Sequence, residues 1–190
     1  MAQPNSSPNH DSPSRAAALP PGVRIAAVVS SYHEEIGAMM LESARRELES
    51  CGMAHENFFE VHSPGAFELP LIARRLAVRD DIHAVLCFGL VLKGETSHDT
   101  HIANSVAHGI LLGALQTDKP ILFGVLTCAT EEQALARALP AEQGGMHDKG
   151  REVARAATLA LEALKLASEV GVAARGTGFF RREADHEARR

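Results

Sequence analysis

Residues 84–98, AVLCFGLVLKGETSH, decide the fold of this chain. The first nine are apolar residues or glycine, and such an uninterrupted run is typical of a strand buried on both faces of a parallel sheet. The polar residues that follow include Thr96 and Ser97, two residue types that cap helices. The stretch therefore predicts a strand over residues 84–92, a short loop, and a helix over residues 98–117.

The same alternation continues on both sides of this stretch. Further apolar runs predict strands over residues 23–31, 58–61 and 120–127. Helical spacing of apolar residues predicts helices over residues 34–51, 66–79, 131–139 and 149–168. Strands that alternate with helices form a parallel sheet covered by helices on both faces. The sequence therefore predicts an α/β fold.

Composition places the chain among single-domain globular proteins. It has 190 residues, of which 45% are hydrophobic and 23% are charged. Five of the nine prolines lie in the first 21 residues, among Ser and Asn and with little to bury. We therefore expect a flexible segment over residues 1–21, a folded domain over residues 22–170 and a charged tail over residues 171–190.

Charge and cysteine content narrow the classes of partner and compartment. The formal net charge of -5 argues against nucleic acid or an anionic membrane as a partner. No apolar run approaches the ~18 residues that a spanning helix needs. The three scattered cysteines form no C-x-x-C pair, and residues 1–21 lack the pattern of an export signal. We therefore expect no zinc site, no disulfide and a cytoplasmic protein.

Four polar segments follow the predicted strands. In open parallel sheets, ligands bind beyond the carboxyl ends of the strands, which is where these segments lie. The segments are residues 31–35, 62–68, 93–98 and 127–131. We expect the functional site to be built from them.

The segment at residues 93–98 suggests an anion site. Gly94 allows close backbone approach, and free amides at a helix N-terminus bind small phosphates. A capped helix start with nothing bound remains an alternative. His98, His101 and His108 lie on one side of the same predicted helix, which raises a metal hypothesis against that of ordinary surface or packed histidines.

Three further charged residues have two interpretations each. Glu68, in SPGAFELP, either stabilises the start of a helix or accepts hydrogen bonds from a polyol or an amine. Arg137 and Lys149 are ordinary solvated cations unless the fold returns them to the strand ends. The residues alone do not decide between these interpretations.

Five segments, taken in order, resemble the lumazine synthase family over about residues 24–165. They are IAAVVSSYHEEI, SPGAFELPLIA, AVLCFGLVLKGETSHDTHIAN, KPILFGVLTCATEEQALARA and GGMHDKGREVARAATLALEAL. The resemblance implies a flavodoxin-like three-layer sandwich around a four-stranded parallel sheet. It implies condensation of 5-amino-6-(ribitylamino)uracil with 3,4-dihydroxy-2-butanone 4-phosphate, without metal or organic cofactor. It also implies a homopentamer with active sites between subunits, and riboflavin synthase as the pathway neighbour.

The resemblance assigns roles to individual residues. His98 takes the position of the catalytic histidine. The phosphate-binding positions fall on Glu95, Thr96 and Arg137. The positions that bind the pyrimidine and its ribityl chain fall on Tyr32, Ala66, Phe67, Glu68, Val91, Leu92, Phe123 and Lys149.

The chain departs from the family pattern in three places. Tyr32-His33 replaces the usual Phe-Asn, and Asp99-Thr100-His101 replaces an aromatic–acid–aromatic run. The loop after Arg137 is longer than in shell-forming members, which favours a free pentamer over an icosahedral shell. Two other functions remain as alternatives: a lumazine- or flavin-binding paralogue with weak catalysis, and a histidine-based metal enzyme on the same fold.

Overall fold

The computed structural model describes residues 16–176 of the chain. Within them, four parallel strands form one sheet in the spatial order β2-β1-β3-β4. The strands are β1 (Ile25–Ser30), β2 (Phe58–Ser63), β3 (Ala84–Leu92) and β4 (Ile121–Cys128). The four-stranded parallel sheet expected from the sequence is thereby confirmed.

Five α-helices connect and follow the strands. They are α1 (Glu34–Ser50), α2 (Leu69–Ala77), α3 (His98–Thr117), α4 (Glu131–Ala138) and α5 (Lys149–Gly176). Short 3-10 turns occupy His55–Asn57, Ala66–Glu68 and Ala141–Gln143. No helix among residues 16–176 is long and apolar enough to cross a membrane.

The helices cover both faces of the sheet and bury two hydrophobic clusters. Helices α1, α4 and α5 pack on one face, against residues such as Leu86 and Phe88. Helices α2 and α3 pack on the other face, against residues such as Val28 and Val85. The central strands are therefore buried on both sides, which is why β1 and β3 read as continuous apolar runs.

The predicted elements agree with the structure to within two residues at each end, except for α2 and the end of α5. β3 and α3 have the predicted bounds, whereas β2 continues to Ser63 because that residue pairs with Ser30 of β1. The helix predicted over residues 66–79 is a 3-10 turn followed by α2, which begins only at Leu69. Pro70 lies in the first turn of α2, where its missing N–H costs no helical hydrogen bond.

Packing begins before the predicted start of the domain. Ala17 and Leu19 are buried, and their backbone amides donate to Thr158 Oγ1 at 3.1 Å and to the Cys51 carbonyl at 2.8 Å. Two apolar side chains thus anchor the last part of the segment expected to be flexible. At the other end, α5 continues to Gly176, past residue 170. The remaining expectations for the two ends concern residues 1–15 and 177–190, outside the described residues.

The strand order places an open crevice at the carboxyl ends of β1 and β3. The chain moves from β1 outward to β2, then returns to the other side of β1 to form β3. The connections after β1 and β3 therefore leave on opposite faces of the sheet, and a crevice opens between them. This is where the sequence predicts the functional site.

Candidate active site

A cavity of about 530 Å³ occupies the crevice at the carboxyl ends of β1 and β3. Three of the four segments expected to build the site contribute to its wall, and the segment after β4 does not. The lining residues are Tyr32, His33, Gly65, Ala66, Phe67, Glu68, Leu90, Val91, Leu92, Gly94, Thr96, His98, Asp99 and Ile102. The structure thus brings together His98, Thr96 and six of the eight residues expected to bind the pyrimidine substrate.

The loop after β2 holds Glu68 next to Tyr32. Ser63 Oγ donates to the Gly65 carbonyl at 2.5 Å and so shapes the turn. A Cβ atom on Gly65 would lie 3.1 Å from Glu68 Oε2 and 3.5 Å from Tyr32 Cδ2. The carboxylate and the phenol ring therefore flank the bare Cα of residue 65. A larger residue there would push the two groups apart.

Close approach of this loop to the sheet depends on Gly89 in β3. A Cβ atom on Gly89 would lie 3.2 Å from Leu69 Cδ1 and 3.7 Å from Ala66 Cβ. The glycine therefore lets the 3-10 turn at Ala66–Glu68 settle directly on the strand. Because the turn lies close to the sheet, Ala66 is buried and the cavity extends to the sheet.

The end of β3 presents unpaired backbone to the cavity. Its ladder with β1 ends at the pair Val29 and Phe88, whereas its ladder with β4 continues to Leu92. Along the β1 side, the backbone groups of Val91 and Leu92 therefore lie beyond the last described pair. Polar groups at such a strand end are available to a ligand with donors and acceptors along one edge.

The start of α3 combines uncapped amides with His98. Ser97 occupies the N-cap position, but its side chain makes no capping hydrogen bond. The backbone N of His98 donates to Thr96 Oγ1 at a long 3.4 Å. Amides at a helix start carry partial positive charge, so this end of the cavity suits an anion. The His98 side chain is exposed at the same place.

The ionisable residues that line the cavity are Tyr32, His33, Glu68, His98 and Asp99, and none of the described lining residues is Lys or Arg. A phosphate ester bound there would therefore face two carboxylates and no permanent cation. Amide dipoles alone compensate a doubly charged group weakly, so the site calls for a cation from elsewhere.

Four residues expected in the site do not line this cavity. Glu95 is exposed in the loop before α3. Arg137 is half-buried on α4, where Nη1 donates to the Gln133 carbonyl at 2.9 Å. Lys149 is the first residue of α5, and its Nζ lies 2.7 Å from Glu152 Oε1.

Phe123 is the fourth of these residues, and the strand register explains why it lies far from the cavity. It pairs with Cys87, whereas Thr127, four residues later, pairs with Val91 at the cavity. Four residues along a strand span about 13 Å. Its side chain is 43% exposed on the edge strand β4. Phe123 therefore faces outward at a different level of the sheet from its own protomer's cavity.

No three His, Cys, Asp or Glu side chains within residues 16–176 lie close enough together to hold a metal ion. His101 Nε2 lies 3.4 Å from Ser97 Oγ, and His108 Nδ1 lies 2.9 Å from the Asn104 carbonyl. The two histidines that shared a helix side with His98 thus contact atoms of their own helix instead.

Sequence reasoning gave no role to several lining residues. His33, Gly65 and Asp99 lie within or beside the predicted strand-end segments, and that position could have identified them as lining residues. Ile102 lies one turn after His98 on α3, a spacing that could have identified it. Leu90 lies inside an apolar strand, where no sequence feature separates a wall residue from a core residue.

Comparison with known proteins gives a consistent result. The family model described as 6,7-dimethyl-8-ribityllumazine synthase matches residues 22–165. A protein of that name from Thermus thermophilus is 40% identical over 145 residues, covering 76% of this chain and 88% of the relative. One from Protochlamydia amoebophila is 38% identical, covering 70% and 76%. A chloroplastic one from Arabidopsis thaliana is 36% identical, covering 77% and 60%.

Proposed function

The chain belongs to the 6,7-dimethyl-8-ribityllumazine synthase family, and from that premise we propose how its cavity carries out the reaction. Its function is that of a lumazine synthase, an enzyme of riboflavin biosynthesis. It condenses 5-amino-6-(ribitylamino)uracil with 3,4-dihydroxy-2-butanone 4-phosphate. The products are 6,7-dimethyl-8-ribityllumazine, phosphate and water.

One observation carries the proposal for the site. The crevice at β1 and β3 combines the exposed ring of Tyr32, the Glu68 carboxylate, the free strand end at Val91 and the start of α3 with His98. The aromatic face and the strand edge suit the pyrimidine ring, and the carboxylate suits the ribityl hydroxyls. The start of the helix suits the phosphate of the second substrate. No metal or organic cofactor is needed for this arrangement.

The pyrimidine substrate is held by three kinds of contact. The ring of Tyr32, 71% exposed, is free to stack on the pyrimidine. Backbone groups of Val91 and Leu92 pair with its polar edge, as a further strand would. Glu68 accepts hydrogen bonds from the ribityl hydroxyls, with Ala66 and Phe67 as neighbours in the same turn. Together these contacts place the 5-amino group towards α3.

The butanone phosphate lies at the start of α3. Amides of the loop around Glu95 and Thr96 hold its phosphate, whereas the carbonyl carbon faces the amine. The 5-amino nitrogen attacks that carbon and water leaves, giving an imine. Removal of the proton on carbon 3 then expels phosphate from carbon 4, and the enol that remains tautomerises to a ketone at carbon 3. The second amine attacks this ketone and closes the ring with loss of another water.

His98 moves the protons in these steps. It accepts a proton from the attacking amine and returns protons to departing oxygen, a contribution of ~10²–10⁴-fold in rate. Positioning two substrates side by side supplies more, about 7–11 kcal/mol of the barrier. The small number of ionisable lining residues suits such a mechanism, because the amine and the phosphate are already a fair nucleophile and a good leaving group.

A neighbouring protomer completes the site in this proposal. Phe123, Arg137 and Lys149 do not line their own protomer's cavity, and that cavity has no lining cation. A homopentamer with active sites between subunits would let one protomer supply these side chains to the next. Three leucines on α3 are exposed and support a subunit contact through that helix: Leu111, Leu112 and Leu115.

The remaining proposals concern assembly and context. The ten-residue connection from Leu139 to Asp148 favours a free pentamer over an icosahedral shell, because a long loop there would obstruct contacts between pentamers. The three cysteines are unpaired, which suits the cytoplasm. Riboflavin synthase is the expected pathway neighbour, and neither nucleic acid nor membrane is an expected partner.

The assay is lumazine formation, followed by absorbance, with both substrates present. Wild-type protein should exceed the uncatalysed background, and His98→Ala should lose ~10²–10⁴-fold of the enzymatic rate. Absorbance that rises no faster than in buffer would leave the lumazine- or flavin-binding alternative, which the comparisons do not favour. Full activity in His98→Ala would remove His98 from catalysis.

A further inference from the structure

Asp99 is a cavity-lining carboxylate that has no role in the proposed function so far. It lies in the first turn of α3, directly after His98, and its side chain is half-buried. Asp99 and Glu68 are the two carboxylates of a lining in which no described residue is Lys or Arg. The ribityl hydroxyls account for Glu68. The negative charge of Asp99 has no such partner in either substrate.

The rest of the described chain engages the Asp99 carboxylate only weakly. Its one described hydrogen bond comes from Thr100 Oγ1 to Oδ2, at a long 3.5 Å. None of the ion pairs within residues 16–176 includes Asp99. The N-cap of α3 is Ser97, so Asp99 does not cap the helix. The carboxylate is therefore available to a positively charged group within the cavity.

Charges of opposite sign develop on the two atoms that react first. The lone pair of the 5-amino nitrogen forms the bond to the carbonyl carbon, and the π pair of the carbonyl moves to its oxygen. The nitrogen carries positive charge until one of its protons passes to His98. The oxygen carries negative charge until it takes up a proton. Fixed groups of the opposite sign beside each atom stabilise such a transition state.

The start of α3 offers a group of each sign. Its backbone amides carry partial positive charge, which suits the oxygen. The Asp99 carboxylate, one residue after His98, is a negative group at the same end of the cavity. Because its side chain is half-buried, its charge is screened less than that of a fully exposed carboxylate.

We propose that the Asp99 carboxylate stabilises the positive charge that develops on the 5-amino nitrogen during attack, which makes Asp99 a second catalytic residue beside His98. The proposal deepens the proposed function and rests on it, since the two substrates are those named there. It gives Asp99 two opposite effects. The carboxylate lowers the barrier to attack, but it repels the phosphate ester that is bound at the same helix start.

The kinetic test uses Asp99→Asn, which keeps the size of the side chain and removes its charge. Single turnovers, with full-length protein in excess over the pyrimidine substrate, follow the loss of that substrate by absorbance. At saturating butanone phosphate, the rate of loss should fall about tenfold to a hundredfold. The half-saturating concentration of butanone phosphate should stay the same or fall, because the repulsion is removed as well.

Two further variants separate the charge of Asp99 from its shape and from surface charge in general. Asp99→Glu retains the charge, so it should keep more of the wild-type rate than Asp99→Asn. Asp80→Asn makes the same chemical change at an exposed acid before the amino end of β3, and its rate should equal that of wild type. An unchanged rate in Asp99→Asn, or an equal loss in Asp80→Asn, would overturn the proposal.

A double substitution separates a direct effect from one that acts through His98. If Asp99 acts on the nitrogen itself, Asp99→Asn should slow His98→Ala by the same factor as it slows wild type. If Asp99 only supports His98, the double variant should be no slower than His98→Ala, and that result would overturn the proposal. An inactive wild-type protein would instead overturn the proposed function, so the two failures are distinguishable.

Discussion

Ser43 Oγ donates a hydrogen bond of 2.5 Å to Asp148 Oδ1, joining two residues 105 positions apart in the sequence. Both are buried. Asp148 Oδ1 also accepts from the Arg151 amide at 3.1 Å, so the same carboxylate caps α5. Its Oδ2 lies 3.3 Å from Arg151 Nε as an ion pair without hydrogen-bond geometry. The bond from Ser43 therefore fixes the start of α5, and with it Lys149, against α1.

Removing the Ser43 hydroxyl should destabilise the protein. In Ser43→Ala, the buried Asp148 carboxylate loses one of its hydrogen-bond donors, at a cost of about 1–3 kcal/mol. The free energy of unfolding in urea, at one fixed protein concentration, measures the effect. Ser50→Ala is the control, because Ser50 is exposed on the same helix and donates to the nearby Glu47 carbonyl. Equal stability of the two variants would show that the buried bond contributes nothing.

Gly150 should not tolerate a methyl group, although it lies in a helix. Helix propensity alone favours alanine over glycine by about 0.5–1 kcal/mol. A Cβ atom there would, however, collide with the Met40 carbonyl oxygen, which is backbone and cannot turn away. Overpacking of this kind costs about 1–3 kcal/mol or more, so Gly150→Ala should lower the thermal midpoint.

Gly113 provides the comparison for Gly150. A Cβ atom on Gly113 of α3 would meet only the end of the Ile121 side chain at 3.1 Å and Arg74 Cβ at 3.5 Å. Gly113→Ala should therefore be nearly neutral or mildly stabilising. A higher midpoint for Gly150→Ala than for wild type would contradict the close packing of α1 on α5.

Most strands and helices could be predicted from the sequence, because the local pattern of apolar residues agrees with the burial that the fold requires. The uninterrupted apolar run of β3 predicted the bounds of that strand, and the polar residues after it, which include two of the types common at helix starts, predicted where α3 begins. The 3-10 turn at Ala66–Glu68 was missed because its spacing of apolar residues looks helical, and only packing on Gly89 tightens it. The burial of Leu19 was missed because a single apolar residue among prolines carries no period.

The site residues that lie shortly after the end of a strand could be predicted from the sequence. Tyr32, Glu68 and His98 each lie within six residues of the carboxyl end of a strand, so topology alone gathers them at one edge of the sheet. Placement of Arg137 and Lys149 could not be predicted, since it depends on helix packing and, in our proposal, on a second protomer. The left-handed backbone of His33 has no sequence signature apart from its place before a helix.

The three thiols should react slowly in the folded protein. Burial raises the pKa of the Cys51, Cys87 and Cys128 thiols, and for Cys128 the charge of Arg137 opposes the rise. Because the thiolate is the reactive form, a raised pKa leaves less of it at any given pH. Alkylation by iodoacetamide at about pH 8 should therefore be slower than in urea, and should accelerate above the usual thiol pKa of about 8.5.

Arg137 offers a check on the electrostatic cause at Cys128. Arg137→Ala removes the charge that lowers the pKa of that thiol, so alkylation of Cys128 should slow further. Alkylation of Cys87, whose pKa is raised by burial alone, should not change. Mass spectrometry of labelled peptides separates the three sites. Native labelling as fast as labelling in urea would contradict the burial of these thiols.

Arg137 should also matter for phosphate binding. Arg137→Ala should raise the KM for the butanone phosphate about tenfold to a hundredfold, the loss of a charge-assisted hydrogen bond. The KM for the pyrimidine substrate should change little. Arg75→Ala, at an exposed arginine on α2, is the control for loss of surface charge. An unchanged KM for the butanone phosphate would remove Arg137 from the site.

The central claim is that each active site is shared between two protomers, one supplying His98 and the other Arg137. Co-expression of His98→Ala with Arg137→Ala tests it, with the butanone phosphate held below its KM for Arg137→Ala. If the site is shared, about a quarter of the interfaces in randomly mixed pentamers carry both intact residues.

The measurement is lumazine formation by purified mixed assemblies, compared with each parent variant alone. A site shared between protomers predicts a rate near a quarter of the wild-type rate, well above both parents. A rate equal to the average of the two parents would place His98 and Arg137 in the same protomer's site, and would contradict the account.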